Sequence, residues 1–101
     1  MSPVAGVGIS VSFHGLPFLA PSLSNILYNG GIPALMVGSM TKRHPAPDNE
    51  FAVSPDVVAI GAPNILLNGV IFCPYMGSIA HHRGAAPTAI MTGIPNILIG
   101  F

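Results

Sequence analysis

The sequence predicts a small all-β domain that is built from related short hairpins and held together by a metal ion. Three observations predict this fold. An Asn-Ile-Leu motif recurs along the chain, no segment has helical periodicity, and a histidine follows a Gly turn in each unit. The chain has 101 residues, which is enough for one domain with a thin core. We therefore expect a single repeat domain over residues 1–101.

Charged residues are rare in this chain. Half of the residues are hydrophobic and only 6% are charged, whereas about 25% are charged in an ordinary globular domain. Three basic residues balance three acidic ones, so no basic patch is present to bind nucleic acid through its phosphates. A free soluble monomer carries more surface charge than this. We therefore expect much of the surface to be buried against a partner, and no nucleic acid among the partners.

The uncharged segment 1–41 has the hydropathy of a membrane span but not its residue pattern. A span needs about 20 predominantly apolar residues in one helix, and glycine and proline interrupt this segment from Pro3 to Gly38. The apolar stretches are also too short for a signal peptide, and no basic region precedes them. We expect no stable membrane insertion, and synthesis in the cytoplasm without a signal peptide.

The chain contains an internal repeat. Residues 25–39 and 64–78 share Asn, Ile, Leu, Asn, Gly, Ile, Gly and Ser at one fixed offset, and residues 93–100 form a third, truncated copy. Each Asn-Ile-Leu run is compatible with a strand, and the Asn-Gly that follows it in the first two copies is a strong hairpin signal. The sequence therefore predicts three related hairpin units.

Proline modifies the second strand of the first two units. Pro33 and Pro74 lie inside the short apolar runs that follow the Asn-Gly turns. Because proline has no N–H to donate to a neighbouring strand, we expect these strands to be edge strands or bent.

Residues 42–56 separate the first unit from the second. They carry five of the six charges and contain Pro45, Pro47 and Pro55. This composition is typical of a surface connection. We therefore expect residues 42–56 to form an exposed inserted loop.

Histidine recurs in step with the repeat. His14 and His44 follow their Gly turns at the same spacing, while His81 and His82 follow the third turn one or two residues sooner. Three equivalent imidazoles that meet on one axis would form a zinc site, which usually needs a fourth ligand. We expect His14, His44 and His82 to be ligands, with His81 as the alternative to His82.

Cys73 is the candidate for the fourth ligand. It aligns with Ala34 of the first unit, which is a core-strand position. The alternative interpretation is therefore a small buried hydrophobic residue. As the sole cysteine of the chain, it forms no internal disulfide.

The sequence resembles the PAAR-repeat proteins. The family is named for a Pro-Ala-Ala-Arg segment that precedes Val-Gly-Asp and a downstream His-Gly; here the opening Pro-Val-Ala-Gly-Val-Gly of residues 3–8 precedes His14-Gly15. Residues 33–39 resemble a second copy, and residues 61–69 resemble the family's Gly-Ser-Pro-Asn-Val element that ends in Asn-Gly. The chain departs from the motif in its Arg and Asp positions, which are occupied by other residues: Gly6, Met36, Ile9, Ser39 and Ser78.

This resemblance implies a fold and a partner. The fold is a small cone of three pseudo-symmetric β-hairpin repeats whose tip is held by zinc, with His14, His44, His82 and Cys73 in the ligand places. The cone caps and sharpens a trimeric β-helical spike, one copy per trimer, in a contractile phage tail or a type VI secretion system. The implied location is the virion tail tip or a secreted bacterial injection apparatus, with only transient contact with the target-cell envelope.

Two other classes of function remain open at this point. One is a small metal-dependent enzyme, which needs an open coordination position and a general base; the available carboxylates are Asp48, Glu50 and Asp56. The other is a small membrane-associated protein. We expect a structural part that is not an enzyme, because the resemblance and the composition both favour the spike tip.

Overall fold

The described residues form β-strands and contain no helix. The structure is a computed structural model that describes residues 1–47 and 49–100, apart from the side chain of Asn49. It confirms the all-β prediction. In these ranges no helix is long and apolar enough to cross a membrane. The strands are β1 (Ser2–Val4), β2 (Ala20–Tyr28), β3 (Ile32–Met40), β4 (His44–Ala46), β5 (Asn49–Ser54), β6 (Asp56–Val58), β7 (Ala62–Leu67), β8 (Ile71–Cys73), β9 (Ile79–His82), β10 (Thr88–Ala89) and β11 (Ile94–Ile99).

The strands pair in antiparallel fashion in one larger sheet and three two-stranded ribbons. The larger sheet has the order β10-β9-β6-β3-β2, and the ribbons are β1–β11, β4–β5 and β7–β8. The Asn-Gly sequences after β2 and β7 form the two predicted hairpin turns, in which Asn29 and Asn68 have φ values of 52° and 55°. Asn tolerates this left-handed conformation better than most residues do, which explains its place there.

Three strand pairs have the same register. In β2–β3, Tyr28 lies opposite Ile32 and Leu27 opposite Pro33, and the register shifts before Leu23 meets Ala34. The pair β7–β8 repeats this pattern, including the shift, and so does the pair β11–β1. The third pair is not a hairpin, because it joins a strand near the start of the chain to one near its end.

Reciprocal amide hydrogen bonds connect these strand pairs at their exposed ends. Asn25 on β2 exchanges two side-chain hydrogen bonds with Asn68, at 2.9 and 3.3 Å. Asn96 on β11 exchanges two with Asn29, at 3.0 and 2.9 Å. In the third case, the residues at the equivalent positions are Asn64 and Gly100. Glycine has no side-chain amide, so this hydrogen-bonded pair cannot form.

Buried residues form two hydrophobic clusters, and the longest dimension of the molecule is 38 Å. Three chain segments pass from the first cluster to the second and then reach a histidine. The segments run from Val4 through Ala5 to His14, from Ala34 through Leu35 to His44, and from Cys73 through Ala80 to His82. Each histidine thus comes after a residue of the first cluster and a residue of the second cluster in its own segment, which explains why the histidines recur in step with the repeat.

Each segment turns at a glycine between the first cluster and its histidine. Gly8, Gly38 and Gly77 all have positive φ values, at 75°, 102° and 105°. A fully buried serine follows each turn, and its hydroxyl accepts a backbone N–H hydrogen bond at 2.9–3.1 Å. These serines are Ser10, Ser39 and Ser78.

The segment 42–56 differs from the predicted exposed loop. It forms the β4–β5 ribbon and the start of β6, which lies inside the five-stranded sheet. Among the described strands, β4 pairs with β5 alone. The missing N–H of Pro45 therefore leaves no strand-to-strand hydrogen bond unmade on the unpaired edge of β4. Asp56 is fully buried. Asp48 lies outside the described residues.

Candidate metal centre

Four side chains meet where the three segments end. His14, His44, Asp56 and His82 each offer one ligand atom, and these atoms all lie within 4.8 Å of one another. His14 comes from the connection between β1 and β2, and His44 begins β4. Asp56 and His82 lie directly opposite one another on β6 and β9. The group could hold a metal ion, and the structure does not show which one.

The carboxylate of Asp56 lies at the centre of the group. Its Oδ1 lies 2.8 Å from Nδ1 of His14 and 3.0 Å from Nδ1 of His82. Its Oδ2 lies 3.2 Å from Nε2 of His44. The side chains of Asp56 and His82 are fully buried, while those of His14 and His44 are 6% and 12% exposed. The four ligand groups are thus largely removed from water.

Backbone carbonyls orient two of the imidazoles. Nδ1 of His44 lies 2.9 Å from the carbonyl oxygen of Lys42, and Nε2 of His82 bonds the carbonyl oxygen of Ala52. A carbonyl oxygen only accepts, so each of these ring nitrogens must donate a hydrogen. In a neutral imidazole the other nitrogen then presents a lone pair, as a metal ligand does. When these rings are neutral, Nε2 of His44 and Nδ1 of His82 direct lone pairs towards Asp56.

This arrangement fits a bound cation. With neutral rings, two imidazole lone pairs face a carboxylate that is also an acceptor, so a proton or a metal ion between them makes the contacts favourable. Oδ2 of Asp56 is buried and has no hydrogen-bond partner of acceptable geometry among the described residues, and no Lys or Arg in the described residues pairs with this carboxylate. Buried charges in proteins are paired or coordinate metals.

The ligand atoms lie within 4.8 Å of one another, which is a range that a small metal ion can bridge. Zinc bonds of 2.0–2.2 Å to His nitrogen and Asp oxygen place the ligand atoms about 3.3–3.6 Å apart in a tetrahedron. The contacts between ligand atoms reported above are 2.8–3.2 Å, and Nδ1 of His14 lies 3.0 Å from Nε2 of His44. The atoms in these contacts would move apart when an ion binds between them. Four protein ligands with little exposure are typical of a structural rather than a catalytic site.

Cys73 is not one of the side chains that come together. It belongs to the first hydrophobic cluster, and its Sγ lies 3.7 Å from the hydroxyl oxygen of Tyr28. Burial raises the pKa of the Cys73 thiol, whereas a metal ligand must be a thiolate. The structure therefore places Cys73 in the core position that its alignment with Ala34 had suggested as the alternative.

The two neighbouring histidines on β9 have opposite orientations. His82 faces the group and is 2% exposed, whereas His81 is exposed. Successive side chains of a strand point to opposite faces, so only one of the pair can face the site. The structure brings His82 to the group and leaves His81 outside it.

Asp56 is the member of the group that sequence reasoning missed. It was assigned to an exposed loop because charges and prolines surround it. The available signal was the apolar pair Val57-Val58 that follows Asp56, since consecutive apolar residues are typical of a buried strand. The repeat pattern offered no help, because Asp56 has no counterpart in the other units.

Comparison of the sequence with protein-family models and with curated proteins gives no match. The geometry of the four side chains therefore defines the site. That geometry consists of a buried carboxylate, three imidazoles around it, and two backbone carbonyls that fix the ring nitrogens.

Proposed function

We propose that this protein is the metal-stabilised tip of a trimeric β-helical spike in a contractile injection machine, either a phage tail or a type VI secretion system. The observation that carries the proposal is the common register of the pairs β2–β3, β7–β8 and β11–β1. Three strand pairs of the same register present three similar surfaces. A monomer of this kind is suited to one copy per trimer, on the end of a threefold partner. The resemblance to PAAR-repeat proteins supplies the identity of that partner.

The exposed face of these strand pairs is the surface that we propose docks on the spike. Leu27, Leu66 and Leu98 occupy the same register position in the three pairs, and they are 51%, 47% and 47% exposed. We name these three side chains the leucine triad. The end of a homotrimeric spike presents the same side chains three times, once from each subunit. Three similar apolar side chains in equivalent positions on this chain can therefore contact the three subunits in the same way.

The metal group supports the role of a rigid tip. A domain of this size has a thin core, and a structural metal is one of the means by which small domains gain stability. In this proposal His14, His44 and His82 hold zinc, and Asp56 takes the fourth place that the sequence assigned to Cys73. The ion is structural and the protein is not an enzyme. The three repeats form a cone that narrows from the leucine triad to the metal.

Binding to the spike tests the proposal. The full chain is mixed with the trimeric spike protein of the same organism, and the complex is analysed by size-exclusion chromatography with light scattering. We expect one copy per trimer and an interface of at least about 1,000 Å². Leu27→Asp, Leu66→Asp and Leu98→Asp should each weaken binding, because the charge would be desolvated on docking.

Phe51→Asp is the matched control, since Phe51 is also an exposed apolar residue but lies on β5. Circular dichroism identifies the variants that fold. Unchanged binding by folded variants at all three leucine positions would show that the triad is not the interface. Absence of any complex with the wild-type chain would overturn the proposed function.

A further inference from the structure

The few basic residues of this chain lie beside the metal group. Lys42, Arg43 and Arg83 are its only Lys and Arg residues. Arg43 directly precedes His44, and Arg83 directly follows His82. All three Lys and Arg residues of this chain thus lie within two residues of a histidine of the metal group.

The two arginines line one cleft. Arg43 and Arg83 share it with His81, Ser54 and Val57, and no acidic side chain among the described residues lines it. The guanidinium of Arg43 donates to the carbonyl oxygen of Val53 at 3.3 Å. Neither guanidinium has a carboxylate partner among the described residues. The cleft therefore offers an anion two guanidinium groups that no carboxylate of the described residues compensates.

An exposed aromatic residue adjoins the cleft. Phe51 and Arg83 line a neighbouring depression together. Phe51 is 87% exposed, which is the largest value for any large hydrophobic side chain in the described residues. Phe13, which precedes His14, is 61% exposed. Guanidinium groups beside exposed aromatic rings form the combination that interfacial membrane-binding surfaces use.

We propose that Arg43 and Arg83 bind the phosphate groups of an anionic lipid surface while Phe51 enters the interfacial layer beside them. Guanidinium forms paired, charge-assisted hydrogen bonds with phosphate oxygens. A basic residue close to an anionic membrane increases affinity by roughly fivefold. An apolar ring adds a second, independent attraction by leaving water. This surface does not involve the leucine triad, so the inference stands apart from the spike proposal.

Vesicle binding tests the inference. The full, metal-loaded protein is co-sedimented with vesicles that contain phosphatidylglycerol and phosphatidylcholine, and with vesicles of phosphatidylcholine alone. We expect binding to the anionic vesicles only, and weaker binding at high salt because exposed charges are screened. The double variant Arg43→Gln, Arg83→Gln should bind about 25-fold more weakly if each charge contributes about fivefold. Phe51→Ser should also weaken binding severalfold.

Two variants serve as matched controls. Val70→Ser removes another strongly exposed apolar side chain, 76% exposed, from the turn that follows β7, and it should leave vesicle binding unchanged. Glu50→Gln removes a negative charge from β5, next to Phe51, and it should preserve or strengthen binding. Metal content and circular dichroism are measured for each variant, because Arg43 and Arg83 adjoin His44 and His82.

Three results would overturn the inference. One is equal binding to neutral and anionic vesicles. Another is wild-type affinity in the folded double arginine variant. The third is calorimetric binding of inorganic phosphate without any binding of anionic vesicles, which would make the cleft a site for a small anion. None of these results would affect docking on the spike.

Discussion

Nδ1 of His82 lies 3.0 Å from Oδ1 of Asp56, directly across the β6–β9 pair. The opposite ring nitrogen of His82 donates to the carbonyl oxygen of Ala52. A neutral ring therefore turns its lone pair towards a carboxylate, and two acceptors at this distance repel each other unless a cation lies between them. A proton or a metal ion can meet this need. A metal ion also satisfies His14, His44 and the unpartnered Oδ2 of Asp56 at the same time.

The contact between His82 and Asp56 predicts that the protein contains a bound metal ion. We expect about one ion per chain in protein purified without added metal, measured by elemental analysis. Asp56→Asn keeps the size of the side chain but removes its charge, so it should abolish metal binding and lower the free energy of unfolding by several kcal/mol, since metal binding is coupled to folding. A chelator should lower the unfolding temperature of the wild type in the same way. His81→Gln is the control and should change neither quantity. A stably folded wild type without metal would contradict the prediction.

Cys73 gives a separate test of the ligand set. Cys73→Ala should retain the full metal content, because the thiol packs in the first hydrophobic cluster. The loss of one buried sulfur should cost about 1 kcal/mol, comparable to the removal of a methylene group. Elemental analysis and urea denaturation measure the two effects. Loss of the metal in this variant would return Cys73 to the ligand set and exclude the arrangement around Asp56.

The repeat motif and the metal group differ in how far the sequence alone could predict them. The turn after each Asn-Gly was predictable, since Asn29 and Asn68 need a left-handed conformation that few residues tolerate. His14 and His44 were found because they follow their Gly turns at the same spacing, and His82 because it follows the third Gly turn one residue sooner. Asp56 was not found, because its burial results from β6 pairing with both β3 and β9. Such long-range pairing leaves little local signal in the chain beyond the apolar pair Val57-Val58 that follows Asp56.

Alkaline pH should destabilise the protein through the contact between Tyr28 and Cys73. Burial, with a smaller contribution from Cys73, raises the pKa of Tyr28 above its ordinary value of 10.0. Burial likewise raises the pKa of Cys73 above 9.0. The unfolded chain ionises first, so the stability from these groups is complete below about pH 9 and decreases as the pH rises further. Urea denaturation between pH 7 and 11 measures this loss. The double variant Tyr28→Phe, Cys73→Ala should lose less stability over that range, and an equally steep loss would contradict the assignment.

The β4–β5 ribbon should be necessary for metal binding. Replacement of residues 46–54 by a short Gly-Ser linker keeps His44 and Asp56 but removes the carbonyl of Ala52 that orients His82. An exposed loop would tolerate this change at small entropic cost. We instead expect reduced metal content and a lower unfolding temperature, because the ring of His82 loses the acceptor that fixes its tautomer. Wild-type metal content in the shortened chain would show that Ala52 is dispensable.

The contribution of the amide pairs to stability can be tested within the repeat itself, because one of its three equivalent asparagines lacks an amide partner and serves as the control. Asn25, Asn64 and Asn96 each precede Ile-Leu in the repeat motif, and all three are exposed. Asn25 and Asn96 exchange two hydrogen bonds with Asn68 and Asn29, respectively. Asn64 has no amide partner among the described residues.

Alanine substitutions at these three positions should therefore have unequal effects. Asn25→Ala and Asn96→Ala should each lower the free energy of unfolding by about 1 kcal/mol, because each loses a reciprocal pair whose hydrogen bonds are weakened by exposure. Asn64→Ala should change it by less than about 0.5 kcal/mol, as most surface substitutions do. Strand propensity changes equally in all three, so it cancels in the comparison. Urea denaturation of the metal-loaded proteins gives the values. Equal losses at the three positions would show that the amide pairs do not stabilise the contacts between strand pairs, and that burial of the first hydrophobic cluster holds them together.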